Sequence, residues 1–124
     1  MPHCIIEITK NILPYCDFEK IMKDVSIALN NIGCFETDDI KIRIRPIEIS
    51  YMGIEIQEHS YVATDIQLLN NKTENQLNYI NDSVHNAILS NFEKLIGKSS
   101  ITTKITLLNV NLYKRTVNYR IEKK

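Results

Sequence analysis

The chain has 124 residues, with 15 Lys+Arg against 15 Asp+Glu and a formal net charge of zero. That length can bury a core, and 44% apolar with 24% charged residues excludes bulk disorder. The charge balance argues against a dedicated nucleic-acid binder, and no run approaches the roughly eighteen apolar residues of a membrane span.

The first element is a strand over His3 to Thr9, with Cys4, Ile6 and Ile8 on one side and Ile5 and Glu7 on the other. Pro14 and Cys16 fall in the loop that follows. Asp17 is placed to cap a helix whose apolar residues Phe18, Ile21, Met22, Val25, Ala28, Leu29 and Ile32 recur at helical spacing, and Gly33 stops it. Ile40 to Ile49 has a period of two, with Ile40, Ile42 and Ile44 facing one way and Lys41, Arg43 and Arg45 the other. Pro46 marks an edge or a bulge. A loop or short hairpin surrounds Gly53. A third strand runs from Tyr61 to Leu69. Thr73-Glu74-Asn75-Gln76 is a capping-box pattern, and an apolar stripe from Leu77 to Ile96 predicts a second helix ending at Gly97. Ile101 to Val110 is a fourth strand, and residues 112–124 hold five Lys/Arg and one Glu, which reads as a solvated basic tail.

The order is strand-helix-strand twice. This predicts an α+β fold in one domain, residues 1–124, with halves at 1–58 and 59–110 and a tail at 111–124. Each helical crossover implies a parallel βαβ unit. Two helices can cover one face of a four-stranded sheet. The other face, with Ile5, Tyr61, Ala63 and Leu69 among charged groups, is where copies are expected to meet. Glu7, Lys10 and Asp17 interrupt any secretory signal at the start, so a cytoplasmic chain is expected. Cys4, Cys16 and Cys34 form no metal-spaced set and read as reduced thiols, and the sequons at Asn71 and Asn81 then carry no meaning. The phosphate-loop, zinc and nucleophile motifs are missing. His3, His59 and His85 each read as structural or solvent-facing.

Two features carry chemistry. Pro2 follows the initiator methionine, and removal of Met1 would expose a rigid secondary amine. A free α-amino group titrates at roughly 7.7–8.0. Apolar walls or nearby cations lower that value, and a drop of about two units is worth roughly 2.7 kcal/mol. An amine so placed suits general acid–base transfer near neutral pH. The second feature is the cationic strand face Lys41, Arg43 and Arg45, with Lys72 at a helix N-terminus. Such cations could hold an anionic substrate and polarise its carbonyl, while depressing the amine. For any one of them, a solvated strand face is the simpler reading.

The opening Met1-Pro2-His3-Cys4-Ile5-Ile6-Glu7-Ile8-Thr9-Lys10-Asn11-Ile12 resembles the 5-carboxymethyl-2-hydroxymuconate isomerase family of the tautomerase superfamily. Gly33-Cys34-Phe35, His59-Ser60-Tyr61 and Asn118-Tyr119-Arg120 are similar to later family patterns. The resemblance implies a homotrimer of doubled βαβ units, no cofactor, and the amino-terminal proline as acid–base catalyst. It also implies a reaction that moves a proton on an unsaturated 2-hydroxy/2-oxo acid. The family's substrate-binding arginines fall on Lys41 and Lys72, which keep charge but lose the planar fork. A coding bias toward lysine, asparagine and isoleucine with only four arginines, as AT-rich coding produces, and an altered substrate choice both explain the change, and Arg43 and Arg45 could compensate. The alternatives are a tautomerase of another substrate, phenylpyruvate-like, and a non-catalytic trimeric binding protein.

Overall fold

The computed structural model describes residues 1–54, 58–94 and 98–117. Strand β1 (His3–Thr9) leads into a 3-10 helix (Lys10–Tyr15), then helix α1 (Phe18–Ile32), a 3-10 turn (Thr37–Asp39) and β2 (Lys41–Ile47). Strand β3 (His59–Leu69), helix α2 (Glu74–Leu89), β4 (Lys98–Leu108) and a 3-10 turn (Val110–Leu112) follow. One mixed sheet runs in the order β2-β1-β3-β4. β1 pairs parallel with β2, β3 parallel with β4, and β1 antiparallel with β3. The doubled βαβ pattern is therefore present, joined through antiparallel central strands. Among the described residues, no helix is long and apolar enough to cross a membrane.

Alternation decides which face is core. Cys4, Ile6 and Ile8 of β1 and Val62, Ile66 and Leu68 of β3 are fully or almost fully buried against both helices. Ile21, Val25 and Leu29 of α1 and Ile80, Val84 and Ile88 of α2 close the layer. Each such side chain contributes about 1.5–3 kcal/mol through burial. Burial also pushes the Cys4 thiol up to about 12, so it packs as a small hydrophobe.

The helix ends follow their side chains. Asp17 accepts from the Lys20 N–H at 3.1 Å, and Gly33 ends α1 at φ 87°, where a residue with a Cβ would be strained. At α2 the Thr73 hydroxyl accepts from the Gln76 N–H at 3.2 Å, and the Gln76 side chain accepts from the Thr73 N–H at 2.9 Å.

Two expectations need correction. Helix α2 stops at Leu89, well short of Gly97. The Asn91 side chain donates to the Ala87 carbonyl at 2.9 Å and to Asp24 Oδ2 at 3.1 Å, satisfying a helix-end acceptor and tying the turn to α1. Phe92 then turns inward and is buried against the core beyond the helix end. The loop at Pro14 is instead a 3-10 helix, which carries Ile12 into the core. Residues 55–57, the stripe's end at Leu95 to Gly97, and the pattern Asn118-Tyr119-Arg120 lie outside the described residues.

Candidate active site

Topology brings four chain segments to one end of the sheet. β1 and β2 are parallel, so both begin there, with His3 opposite Lys41. β3 is antiparallel to β1 and therefore ends there, with Gln67 opposite His3, and β4 ends beside β3. The residues before β1 and β2 thus meet the residues after β3 and β4. The Asn70 N–H donates to the Leu108 carbonyl at 2.9 Å, and its side chain accepts from the Val110 N–H at 3.2 Å. These bonds lock the two late segments together.

Pro2 is buried at this end, and its carbonyl accepts from the Lys41 N–H at 3.1 Å. In this chain the Pro2 nitrogen is an amide, because Met1 precedes it. The Met1 amino group donates to the Tyr113 hydroxyl at 3.2 Å. Burial holds this amine below its ordinary value; the Asp39 carboxylate pulls it up, while Lys41, Arg115 and Lys72 push it down. The terminus therefore lies within the field of three cations and one anion.

Lys41 donates its ammonium to the Asp38 carbonyl at 3.0 Å. Lys72 donates to Asn71 Oδ1 at 3.0 Å and lies 5.4 Å from the centre of the Phe35 ring, a cation–π contact. Arg115 pairs with Asp39 at 2.5 Å. Lys41 meets Pro2 through its backbone N–H, and the charges of Lys41 and Lys72 both act on the Met1 amine that precedes it. The structure places Arg43 on the open sheet face, where its guanidinium donates to His3 Nδ1 at 3.1 Å. Burial holds His3 below its ordinary value, helped by the terminal amine, Arg43 and Lys41, so it accepts as neutral imidazole. Arg45 is exposed on that face, opposite Glu7.

Asp39, Tyr113 and Arg115 are the residues that sequence reasoning missed. The tail looked solvated, yet Tyr113 is half-buried at the terminus and Arg115 is paired. The available signal was topological: a fourth strand parallel to the third must release the chain beside the amino terminus.

The other end of the sheet differs. There Ser50 Oγ and His59 Nε2 lie 3.0 Å apart, and the Asn11 side chain donates to the His59 carbonyl at 2.7 Å. Two concavities open near them, one lined by Asn11, Ile12, Cys16 and Phe92, the other by Lys10, Ile47, Ser50 and His59. Neither includes the terminal amine.

The comparisons bear on this geometry. A family model described as 5-carboxymethyl-2-hydroxymuconate isomerase matches residues 2–120. No curated protein sequence matches the chain. A crystal structure of 5-carboxymethyl-2-hydroxymuconate delta-isomerase is similar with a TM-score of 0.85 at 13% identity, covering 99% of this chain and 96% of that one. A 5-carboxymethyl-2-hydroxymuconate isomerase from Deinococcus radiodurans R1 is similar with a TM-score of 0.84 at 17% identity, covering 94% and 90%. A fused 4-OT wild-type symmetric trimer is similar with a TM-score of 0.71 at 12% identity, covering 94% and 93%.

Proposed function

This chain belongs to the 5-carboxymethyl-2-hydroxymuconate isomerase family, isomerases of the tautomerase superfamily, and from that premise we propose that Pro2, freed by removal of Met1, is its acid–base catalyst. The substrate class is an unsaturated 2-hydroxy/2-oxo carboxylic acid of the 5-carboxymethyl-2-hydroxymuconate kind. The observation that carries the reading is the convergence of Lys41, Lys72 and Arg115 on the amino terminus. Cations acting on that terminus favour a neutral amine and attract carboxylates in the same stroke.

The step balances without a redox partner. Neutral Pro2 nitrogen takes the proton of the dienol hydroxyl. The double bonds shift as the C–O bond gains carbonyl character, and the nitrogen returns the proton to a distal carbon. Lys41 and Lys72 hold carboxylates and offset charge that develops on the dienolate. The Pro2 carbonyl, fixed by the Lys41 N–H, sets where the ring nitrogen points.

The reading includes a homotrimer packed through the open sheet face, where Ile5 is buried and Tyr61, Ala63 and Leu69 are half-buried. The structural likeness to a symmetric trimer supports it. Light scattering on the purified chain reads the mass directly.

The test of function is an enol-to-keto assay on 5-carboxymethyl-2-hydroxymuconate and on phenylenolpyruvate, with wild type and Pro2→Ala, after intact-mass measurement. The account expects a mature chain lacking methionine and a rate that depends on the proline. Equal rates in the two chains would remove proline from the chemistry.

A further inference from the structure

We infer that Arg115 is a carboxylate-binding residue of the substrate site, presented by the segment after β4 and oriented by Asp39. This rests on the isomerase reading above and deepens it.

A substrate with several carboxylates is best gripped by at least one planar, two-pronged donor. Lys41 and Lys72 are point charges. Each is also drawn toward its own loop, Lys41 onto the Asp38 carbonyl and Lys72 onto Asn71 and the Phe35 ring. Arg43 is engaged with His3 on the open sheet face. Arg115 supplies the missing guanidinium beside the terminal amine.

Its placement is built into the backbone. Tyr113 is extended, at φ −115° and ψ 129°. In extended chain, alternate residues share a side. Tyr113 reaches the terminal amine, and Arg115, two residues on, pairs with Asp39, whose charge acts on that same amine.

The exposures within the pair are unequal. The Asp39 side chain is 13% exposed and that of Arg115 42%. The carboxylate sits inward as an anchor, and the guanidinium stands outward. A guanidinium has five N–H donors. Among the described residues, Asp39 accepts from Nη2 and no other partner engages Arg115. The remaining donors are free for an incoming carboxylate. Without Arg115, the inward Asp39 charge would repel any anion approaching the amine. Arg115 thus cancels that repulsion and turns the position into an anion seat, with Asp39 as its positioning residue.

The experiment compares wild type, Arg115→Gln and Arg115→Lys on 5-carboxymethyl-2-hydroxymuconate, and follows the Arg115 Nε–H resonance of wild type while glutarate is added. Loss of a charge-assisted carboxylate contact is expected to raise KM by about tenfold or more. The larger effect should fall on KM, with the acid limb of the pH–rate profile moving upward as one cation leaves the amine, and lysine should restore the limb but only part of KM, since charge returns without the fork. The Nε–H resonance should shift saturably with glutarate and not with glutaramide. An unchanged KM in Arg115→Gln, or full rescue by lysine, overturns the inference while leaving proline catalysis intact. Should Arg115→Gln fail to fold, the titration decides: a glutarate-specific shift upholds the contact, and no shift overturns it. A wild type inactive on every enol would sink the isomerase reading, and the titration would still report separately on Arg115.

Discussion

The two ends of the sheet invite opposite readings. One end has open concavities and a Ser50–His59 hydrogen bond, the outward marks of a reactive site. The other has a buried proline, a depressed terminal amine and three cations drawn from three separate segments. A serine–histidine contact needs a third group to orient the imidazole, and His59 Nδ1 is buried without a partner. Its surroundings do no more than tie the loop after β2 to the start of β3. At the amine end, by contrast, charge and topology act on the Met1 amine, one residue before Pro2. The difference teaches that convergence of field on a titratable group marks chemistry better than the presence of a hollow.

Four variants would break or sharpen this contrast. Pro2→Ala should have the largest effect, a fall in kcat/KM of about 100-fold or more, in line with loss of a positioned acid–base group; steady-state kinetics on the dienol reads it. Lys41→Gln should lower kcat/KM by about tenfold through lost carboxylate contact. It should also move the acid limb of the pH–rate profile upward. The sign follows from the charges: Lys41 pushes the Met1 amine down, the same cation beside a freed Pro2 amine would favour its neutral form, and removing it raises that amine's pKa and leaves more of it protonated at pH 7. Asp39→Asn should shift that limb the other way, because the carboxylate favours the protonated amine. A shift of the same sign in both variants would contradict the electrostatic account. Smallest of all, Ser50→Ala should leave kcat/KM within about twofold, as expected for a surface substitution remote from the chemistry. A large loss there would move the site to the wrong end of the sheet.

Much of the fold was legible in the sequence because it is written in local terms. Strand alternation at Cys4, Ile6 and Ile8, the Asp17 cap, the Gly33 stop and the Thr73–Gln76 box each depend on residues a few positions apart. The end of α2 was not legible. Asn91 closes it through Asp24, 67 positions away, a contact that no local apolar pattern records. The site divides in the same way. Pro2, Lys41 and Lys72 stood out through the family resemblance and their positions at strand and helix starts. Asp39, Tyr113 and Arg115 belong to no motif, and nothing local distinguishes them from solvent-facing residues. Only the parallel pairing of β3 with β4 returns the last two to the amino terminus. Arg43 shows the limit of face arguments. It shares a strand face with Lys41, yet Lys41 stands at the strand's first residue and contributes to the field at the terminus, while Arg43 lies two pairs further in, opposite Ile5, with its guanidinium on His3.

The central claim is that the amino-terminal nitrogen is neutral often enough near pH 7 to carry a proton. The direct measurement is a pH titration of the mature trimmed chain labelled with nitrogen-15 in proline, following the Pro2 resonance. The account predicts a midpoint below the roughly 7.7–8.0 of an ordinary α-amino group, rising when Lys41 is replaced by glutamine. A midpoint above that range, unmoved by the substitution, would contradict it.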